Sequence, residues 1–376
     1  MSSVGTKYAL AADMQCLYCN SRKIYKFGFT RGVESRSGEC RQRYRCSCCL
    51  GTFSENAHLF DFRHKKSNRA LSSLIFSGFV HGMSNRQIAR YHGISECCVR
   101  NRLDRMAKQA FIFHSKQVEG IMIKESVAFD GLENFAGSQY DPNNINQAIG
   151  AESLFIYDFN FTSLNRKGRQ SPWQKKRLSD IEKTFGRYDP RGIRHASACI
   201  FERLCVSSPG KLELFSDEHF QYRRAIAAKK QLRNQIIHKT VSSKACRNFQ
   251  NILFSVNHAD LLIRQRIAAF SRETISFAKT AGRMIQKYML FLVYKNYMAP
   301  QFTKKHVRRP EAHEKSPAQM LGLTKQLLRF SQVFKYYPKL AEIAELSRPE
   351  WRCFAQAELP ESCKRSLKFK RRKKAA

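Results

Sequence analysis

Acidic residues are scarce in this sequence, and long apolar segments are absent from it. The 376 residues include 30 Asp and Glu against 67 Lys and Arg, which gives a formal net charge of +37. Solubility needs a net charge of only about 2–8, so this excess favours a polyanionic partner such as nucleic acid. No apolar run approaches the roughly 20 residues of a membrane span, and the N-terminus lacks the basic-then-apolar layout of a signal peptide. We therefore expect an intracellular protein without a membrane partner.

Two closely spaced pairs of cysteines lie near the N-terminus. Cys16 and Cys19 form one C-x₂-C pair, and Cys46 and Cys49 form a second one. In a reducing compartment this spacing predicts a zinc ribbon in residues 1–60, in which four thiolates bind one structural Zn²⁺. Cys48 could replace a neighbour as a ligand, and cysteines that bind no metal are the alternative. The role of this module is either wholly structural or includes holding DNA through nearby basic side chains.

A helix, a tight turn and a second helix are predicted in residues 61–115. Residues 84–91 have the pattern of a capped helix, Gly93 marks the turn, and residues 96–106 carry apolar side chains at helical spacing. This is the layout of a helix-turn-helix, in which the second helix enters a major groove of DNA. A helical hairpin used only for packing is the alternative. The arginines that we expect to contact DNA here are Arg86, Arg100, Arg102 and Arg105, with the last three on or beside the exposed face of the second helix.

Two aspartates follow apolar, strand-like segments in the middle of the chain. Residues 211–215 alternate apolar and polar side chains and lead to Asp217, and residues 126–129 lead to Asp130. Strand ends are common places for chemistry, and two such aspartates could meet at the tips of neighbouring strands and hold divalent metal. The alternative is that each aspartate caps a turn after its strand.

A further acid is predicted on a long helical segment that opens with residues 253–266. Helical spacing places Asn257 and Asp260 on adjacent turns of one face, with Arg264 one turn further. The helix could therefore present an acid to metal ions and a cation to phosphate. The alternative is that Asp260 only forms a surface ion pair with Arg264.

Two further basic segments complete the chain. Residues 165–176 form a predicted loop that either follows a phosphate backbone or is merely solvated, and its DNA-contacting candidates are Arg166, Lys167 and Arg169. Residues 301–376 are predicted to be a helical annex, with apolar helical periodicity in residues 319–337 and a basic tail at residues 364–374.

The order of these segments, together with several short motifs, resembles the bacterial insertion-sequence transposases of the DDE class, nearest to those of insertion sequence one and its relatives. The likeness covers about residues 14–300. Its motifs are GTFSE at 51–55, FDGLENF at 129–135, RKGR at 166–169, FSDE at 215–218, LFSVN at 253–257, IRQ at 263–265 and RETISFAK at 272–279.

The resemblance implies an α/β multidomain protein whose residues 120–300 form a ribonuclease-H-like domain, a mixed β-sheet flanked by helices. It makes Asp130 and Asp217 the first two ligands of two Mg²⁺ or Mn²⁺ ions. Where the family has its glutamate this chain has Asn257, so we assign the third acid to Asp260, and we keep Asn257 as an amide ligand and Glu273 as alternatives.

The function implied by the resemblance is metal-dependent cleavage and strand transfer at the ends of an insertion sequence. The expected partner is double-stranded DNA, both transposon ends and target, bound by a homo-oligomer in the bacterial nucleoid. The alternatives are a non-catalytic DNA-binding regulator or inactive remnant, and a site-specific nuclease that joins no ends.

Overall fold

The computed structural model describes residues 15–16, 19, 21–29, 42–54, 69–242, 244–303, 310–334 and 340–365. Within these ranges the protein is a mixed α/β structure with two β-sheets. None of the helices in these ranges is both long enough and apolar enough to cross a membrane. Most of the basic tail predicted at residues 364–374 lies outside the described residues.

A three-stranded antiparallel sheet forms the N-terminal module. Its strands lie in chain order and are β1 (Ile24–Phe29), β2 (Gln42–Cys46) and β3 (Thr52–Ser54). One face carries a small core in which Tyr44 stacks on Phe53, with ring centroids 5.9 Å apart. The apolar side chains among the described residues of this module are too few to stabilise it by themselves, so we expect the cysteines to contribute to its stability.

Three helices follow the ribbon, namely α1 (Arg69–Val80), α2 (Asn85–Tyr91) and α3 (Glu96–Val118). Ser84 caps α2 in a capping box with Gln87, in which each side chain accepts a hydrogen bond from the backbone N–H of the other residue. Gly93 closes the turn between α2 and α3 with a φ of +61°. Helix α3 is longer than the sequence predicted, because buried apolar side chains continue along it as far as Val118.

A five-stranded mixed sheet forms the centre of the protein. In chain order its strands are β4 (Val127–Phe135), β5 (Pro142–Gly150), β6 (Ile156–Ser163), β7 (Leu212–Asp217) and β8 (Ile236–Val241). Their order across the sheet is β6-β5-β4-β7-β8, with antiparallel pairing among β4, β5 and β6 and parallel pairing from β4 to β7 and from β7 to β8. The sequence did not predict β5, because its run of buried asparagine and glutamine side chains has no apolar alternation.

Helices cover both faces of this sheet. They are α5 (Gly192–Val206), α6 (Phe220–Ala227), α7 (Lys230–Gln235), α8 (Phe254–Arg266) and α9 (Ala281–Val293), which a π-helical turn (Tyr294–Met298) extends. A further helix, α4 (Pro172–Phe185), buries none of its side chains. On one face, Phe201 of α5 packs on Phe129 with ring centroids 4.7 Å apart. On the other, Tyr288 of α9 packs on Phe159 at the same centroid distance. The loop that was predicted at residues 165–176 is shorter than expected, because residues from Pro172 onward belong to α4.

The C-terminal segment protects the edge of the sheet. Its short α-helices are α10 (Pro317–Met320), α11 (Phe330–Val333), α12 (Leu340–Ala344) and α13 (Pro349–Ala355). The indole N–H of Trp351 donates to the backbone oxygen of Phe159 at 3.2 Å, and the Cys363 thiol donates to that of Phe161 at 3.3 Å. These bonds occupy acceptors of the edge strand β6 that would otherwise be open to another chain. The helical periodicity of residues 319–337 is not one continuous helix in the described part of this segment, since Gly322 adopts a φ of +71° just after α10.

Trp351 offers a test of this packing. The side chain is fully buried and contacts Phe111, His114 and Phe159 from α3 and the sheet. Trp351→Ala should lower the free energy of unfolding by about 3–5 kcal/mol, because it leaves a cavity and removes the indole hydrogen bond. Trp351→Phe should cost less, because it keeps much of the aromatic volume. Urea unfolding of the three proteins measures both effects, and equal stability of wild type and Trp351→Ala would contradict the packing.

Candidate metal sites

Four cysteines of the ribbon lie close together. Cys16 and Cys19 precede β1, Cys46 ends β2, and Cys49 lies in the turn that leads to β3. The Sγ atoms of Cys16 and Cys49 are 3.5 Å apart and those of Cys19 and Cys46 are 3.6 Å apart, and all four lie within 4.8 Å of one another. The predicted set of cysteines is therefore confirmed as a cluster within metal-binding distance.

This cluster fits a structural zinc ion. A tetrahedron with Zn–S bonds of about 2.3 Å has S–S edges of about 3.8 Å, close to the observed separations. The backbone N–H groups of Cys49 and Cys48 lower the pKa of the Cys46 thiol to about 6, whereas burial and the neighbouring thiols of the cluster raise the pKa of Cys19 to about 12. Cys48 is not part of the cluster, since its Sγ lies 3.2 Å from the hydroxyl of Ser21.

Asp130 and Asp217 lie next to each other on neighbouring strands. The parallel register of β4 and β7 ends with the pair Phe129 and Ser216, so the two aspartates follow at equivalent positions. Asp217 is the last residue of β7, as the sequence predicted. Asp130 does not end its strand, because β4 continues to Phe135 in antiparallel pairing with β5. Both side chains are half-buried.

Asp260 faces this pair from helix α8, which packs on β4 and β5. The side-chain amide of Gln147 donates to Asp260 Oδ1 at 2.5 Å, and the buried hydroxyl of Tyr288 donates to Gln147 Oε1 at 2.8 Å. Gln147 is the register partner of Asp130 on β5, so it lies between the two acids. Gln147 and Tyr288 were not predicted from the sequence. The unusual run of amide side chains in β5 is the one sequence signal that could have indicated Gln147.

Burial and the charges of two neighbouring acids act on Asp130. Burial is the main cause that raises the pKa of Asp130 from 3.8 to about 7, followed by the charge of Asp217 and, more weakly, that of Asp260. Burial also raises the pKa of Asp260 to about 6, against the opposing hydrogen bond from Gln147. In the described residues no ion pair joins any of the three acids to a basic side chain. Arg264 and Arg247 offset the charge of Asp260 in part without forming an ion pair. Ionisation of Asp130 nevertheless remains unfavourable in the folded protein.

The other candidates for the third acid are less well placed. Glu273 is exposed in the segment between α8 and α9, and the charges that act on Asp130 include Asp260 but not Glu273. Asn257 is half-buried on α8, one turn before Asp260. Arg264 does not form the surface ion pair with Asp260, because its guanidinium donates to the backbone oxygens of Glu133 and Phe270.

The three acids are more widely spread than the cysteines. Among the described residues, the cysteines are the one group of three or more metal-binding side chains whose ligand atoms all lie within 4.8 Å. By this measure the three acids do not form a compact metal-binding group.

The predicted DNA-contacting residues have different surroundings. Arg86 and Arg100 are exposed, and Arg86 forms an exposed ion pair with Glu96 at 3.3 Å. Arg105 is half-buried. Arg102 was wrongly predicted to lie on the exposed face, because α1 packs over that part of α3 and Arg102 donates to the Ser72 hydroxyl at 2.5 Å.

The basic loop before α4 lies beside the acidic site. Lys167 and Arg169 are exposed, and the charge of Lys167 acts on His219, two residues after Asp217. Arg166 is half-buried, with its guanidinium 5.0 Å from the ring centre of Tyr140.

Comparison with protein-family models finds no match to this chain, and comparison with curated proteins finds no similar protein. The function of the two sites must therefore follow from their geometry and chemistry.

The cysteine cluster leads to a prediction about zinc. The full-length protein should contain about one zinc ion per chain, and Cys19→Ser should lose it and unfold the ribbon, because the metal supplies much of the folding energy of such modules. Cys48→Ser is the matched control and should keep its zinc, because Cys48 lies outside the cluster. Metal analysis of the purified proteins decides this, and full zinc content in Cys19→Ser would contradict the assignment.

The acidic site leads to a prediction about pH. Because the pKa of Asp130 is raised in the folded state, the folded protein binds more protons than the unfolded chain between about pH 4 and pH 7. Protonation of Asp130 therefore favours the folded state at low pH, and the free energy of unfolding falls as the pH rises through this range. In buffer free of Mg²⁺ and of chelators, Asp130→Asn should stabilise the protein by about 1–3 kcal/mol at pH 8 and by much less at pH 5.

Urea unfolding at the two pH values measures this difference. Glu273→Gln, at an exposed acid, should change stability little at either pH. A destabilising effect of Asp130→Asn at pH 8 would show that the ionised carboxylate is favourably bound by the protein itself.

Proposed function

We propose that this protein is a DNA transposase of the DDE class, which binds the ends of an insertion sequence and catalyses metal-dependent cleavage and strand transfer. The observation that carries the proposal is the juxtaposition of Asp130 and Asp217 on adjacent parallel strands, with Asp260 facing them from α8. A mixed sheet flanked by helices, with acids on its central strands, is also what a ribonuclease-H-like domain requires.

The acidic site suits two Mg²⁺ or Mn²⁺ ions. Carboxylate oxygens are hard ligands that these ions prefer. Burial, followed by the charge of Asp217, raises the pKa of Asp130, and a bound cation would favour its ionised form. When bound, two such ions stabilise the attacking and leaving oxygens of an in-line displacement at a phosphodiester. Asp130 and Asp217 would hold them from the sheet, and Asp260 would hold them from α8.

Residues around the acids have supporting roles in this proposal. Gln147 orients the Asp260 carboxylate, because Tyr288 fixes its amide oxygen and thereby directs its N–H group to the acid. Arg264 and Arg247 act on Asp260 with positive charge and therefore lie where they can attract a phosphate group. Lys167 and Arg169 extend the positive charge along the loop that borders the site.

DNA recognition is assigned to helices α2 and α3 and to the net charge of the chain. Helices α2 and α3 are joined by a tight turn, as in a helix-turn-helix. Arg86 and Arg100 are exposed and can contact phosphates or bases. Arg105 is a less accessible candidate. The exposed pair of Arg86 with Glu96 is weak and can exchange for a phosphate contact. The zinc ribbon stabilises the N-terminal module, and the enzyme would act as a homo-oligomer on duplex DNA in the bacterial nucleoid.

A strand-transfer assay tests the proposal. The wild-type protein, incubated with DNA that flanks its own coding sequence and with Mg²⁺, should cleave the element ends and join them to target DNA. Asp130→Asn, Asp217→Asn and Asp260→Asn should each reduce product formation on the order of a hundredfold or more, because each removes a metal ligand. All three should keep their affinity for the same DNA.

Control variants separate the alternatives. Glu273→Gln should remain active, and its inactivity alongside an active Asp260→Asn would assign the third ligand to Glu273. Binding without any cleavage in the wild type would favour a non-catalytic DNA-binding regulator, and cleavage without joining would favour a site-specific nuclease.

A further inference from the structure

The outer face of the ribbon sheet carries exposed aromatic rings. Tyr25 and Phe27 of β1 are 46% and 40% exposed, although they belong to the same small sheet that buries Tyr44 and Phe53 on its other face. Their ring centroids are 6.4 Å apart and the rings are nearly perpendicular. Phe29, after a bulge at Gly28, is also exposed. The small core of the ribbon does not use any of these three rings.

Two arginines share this face with the aromatic rings. Arg45 is the register partner of Tyr25, and Arg43 is the next residue of β2 on the same side. Their guanidinium carbons lie 5.2 Å and 5.7 Å from the centre of the Phe27 ring. No carboxylate pairs with either arginine in the described part of the chain. The face therefore combines exposed aromatic rings with two half-buried arginines that no described carboxylate neutralises.

The charge of the ribbon indicates what this surface can bind. The described ribbon residues include five basic side chains and no acidic one, the former being Arg22, Lys23, Lys26, Arg43 and Arg45. An apolar protein partner would gain nothing from this charge, whereas a phosphodiester backbone is attracted by it. Aromatic rings and guanidinium planes on an open sheet face stack on nucleobases, but only where the bases are unpaired and free of their neighbours.

We propose that this outer face, formed by Tyr25, Phe27, Arg43 and Arg45, is a binding site for unpaired nucleotides of a single-stranded polynucleotide. In this site the rings and guanidinium planes stack on bases, and the arginines also hold the phosphates. The inference does not require the acidic site to be catalytic, and it gives the ribbon a role besides zinc-dependent stability.

A comparison of three ligands isolates the stacking contribution. Full-length protein is titrated with labelled oligonucleotides of about 15 nucleotides, namely oligo-dT, an abasic strand with the same backbone, and a duplex. Tyr25→Ala combined with Phe27→Ala should weaken oligo-dT binding by about 5- to 100-fold, because each stacked base contributes on that scale. Affinity for the abasic strand and for the duplex should change by less than about twofold. An oligo-U strand shows whether RNA or DNA is preferred.

Controls establish that the effect belongs to this face. Phe185→Ala removes an exposed ring on α4 and should leave oligo-dT binding unchanged. Tyr25→Phe should keep the affinity, because the ring remains. The double variant should retain wild-type zinc content, which shows that the ribbon is folded. Unchanged oligo-dT affinity in the zinc-loaded double variant, or an equal loss for all three ligands, would overturn the proposal.

Discussion

The parallel pairing of β4 with β7 is the constraint on which the acidic site depends. This pairing ends at Phe129 and Ser216, so each chain delivers an aspartate at the next position, on strands about 4.8 Å apart. The two carboxylates cannot separate without breaking the strand pairing that holds the centre of the sheet. Burial and, after it, the charge of Asp217 raise the pKa of Asp130, so ionising this carboxylate costs free energy that a bound cation would offset.

Buried acids elsewhere in the protein are treated differently. Asp158 on β6 is fully buried, and it is paired with Arg203 at 2.6 Å and with Arg348 at 3.2 Å. In a chain with 67 basic residues, such partners are plentiful. Yet none of the described basic side chains forms an ion pair with Asp130 or Asp217. Asp158 is therefore held by ion pairs within the fold, whereas Asp130 and Asp217 can interact with a ligand.

Helix α9 joins the acidic site to the helices that precede the sheet. Its Tyr288 supports Gln147, which in turn holds Asp260. Earlier on the same helix, Arg283 and Gln286 bind Asp104 of α3, at 2.6 Å and 2.9 Å. In the proposed function, the helix that enters DNA and the acid that holds metal are thus positioned by one element.

Local sequence signals predicted those features of the structure that depend on residues close together along the chain. The spacing of the cysteines identified the four clustered thiols, the Ser84 cap marked the start of α2, and the alternation before Asp217 marked the end of β7. The helical spacing of Asn257 and Asp260 likewise holds, because both lie on the regular helix α8.

Tertiary packing decided the rest. Strand β5 is amide-rich and becomes a strand only because β4 and β6 pair with it on both sides, which is also what brings Gln147 between the acids. Arg102 has the spacing of a surface residue, but α1 packs over it. No local pattern in the sequence predicts that β4 and β7 are neighbours. Residues so distant in sequence become strand partners only through the packing of the whole sheet.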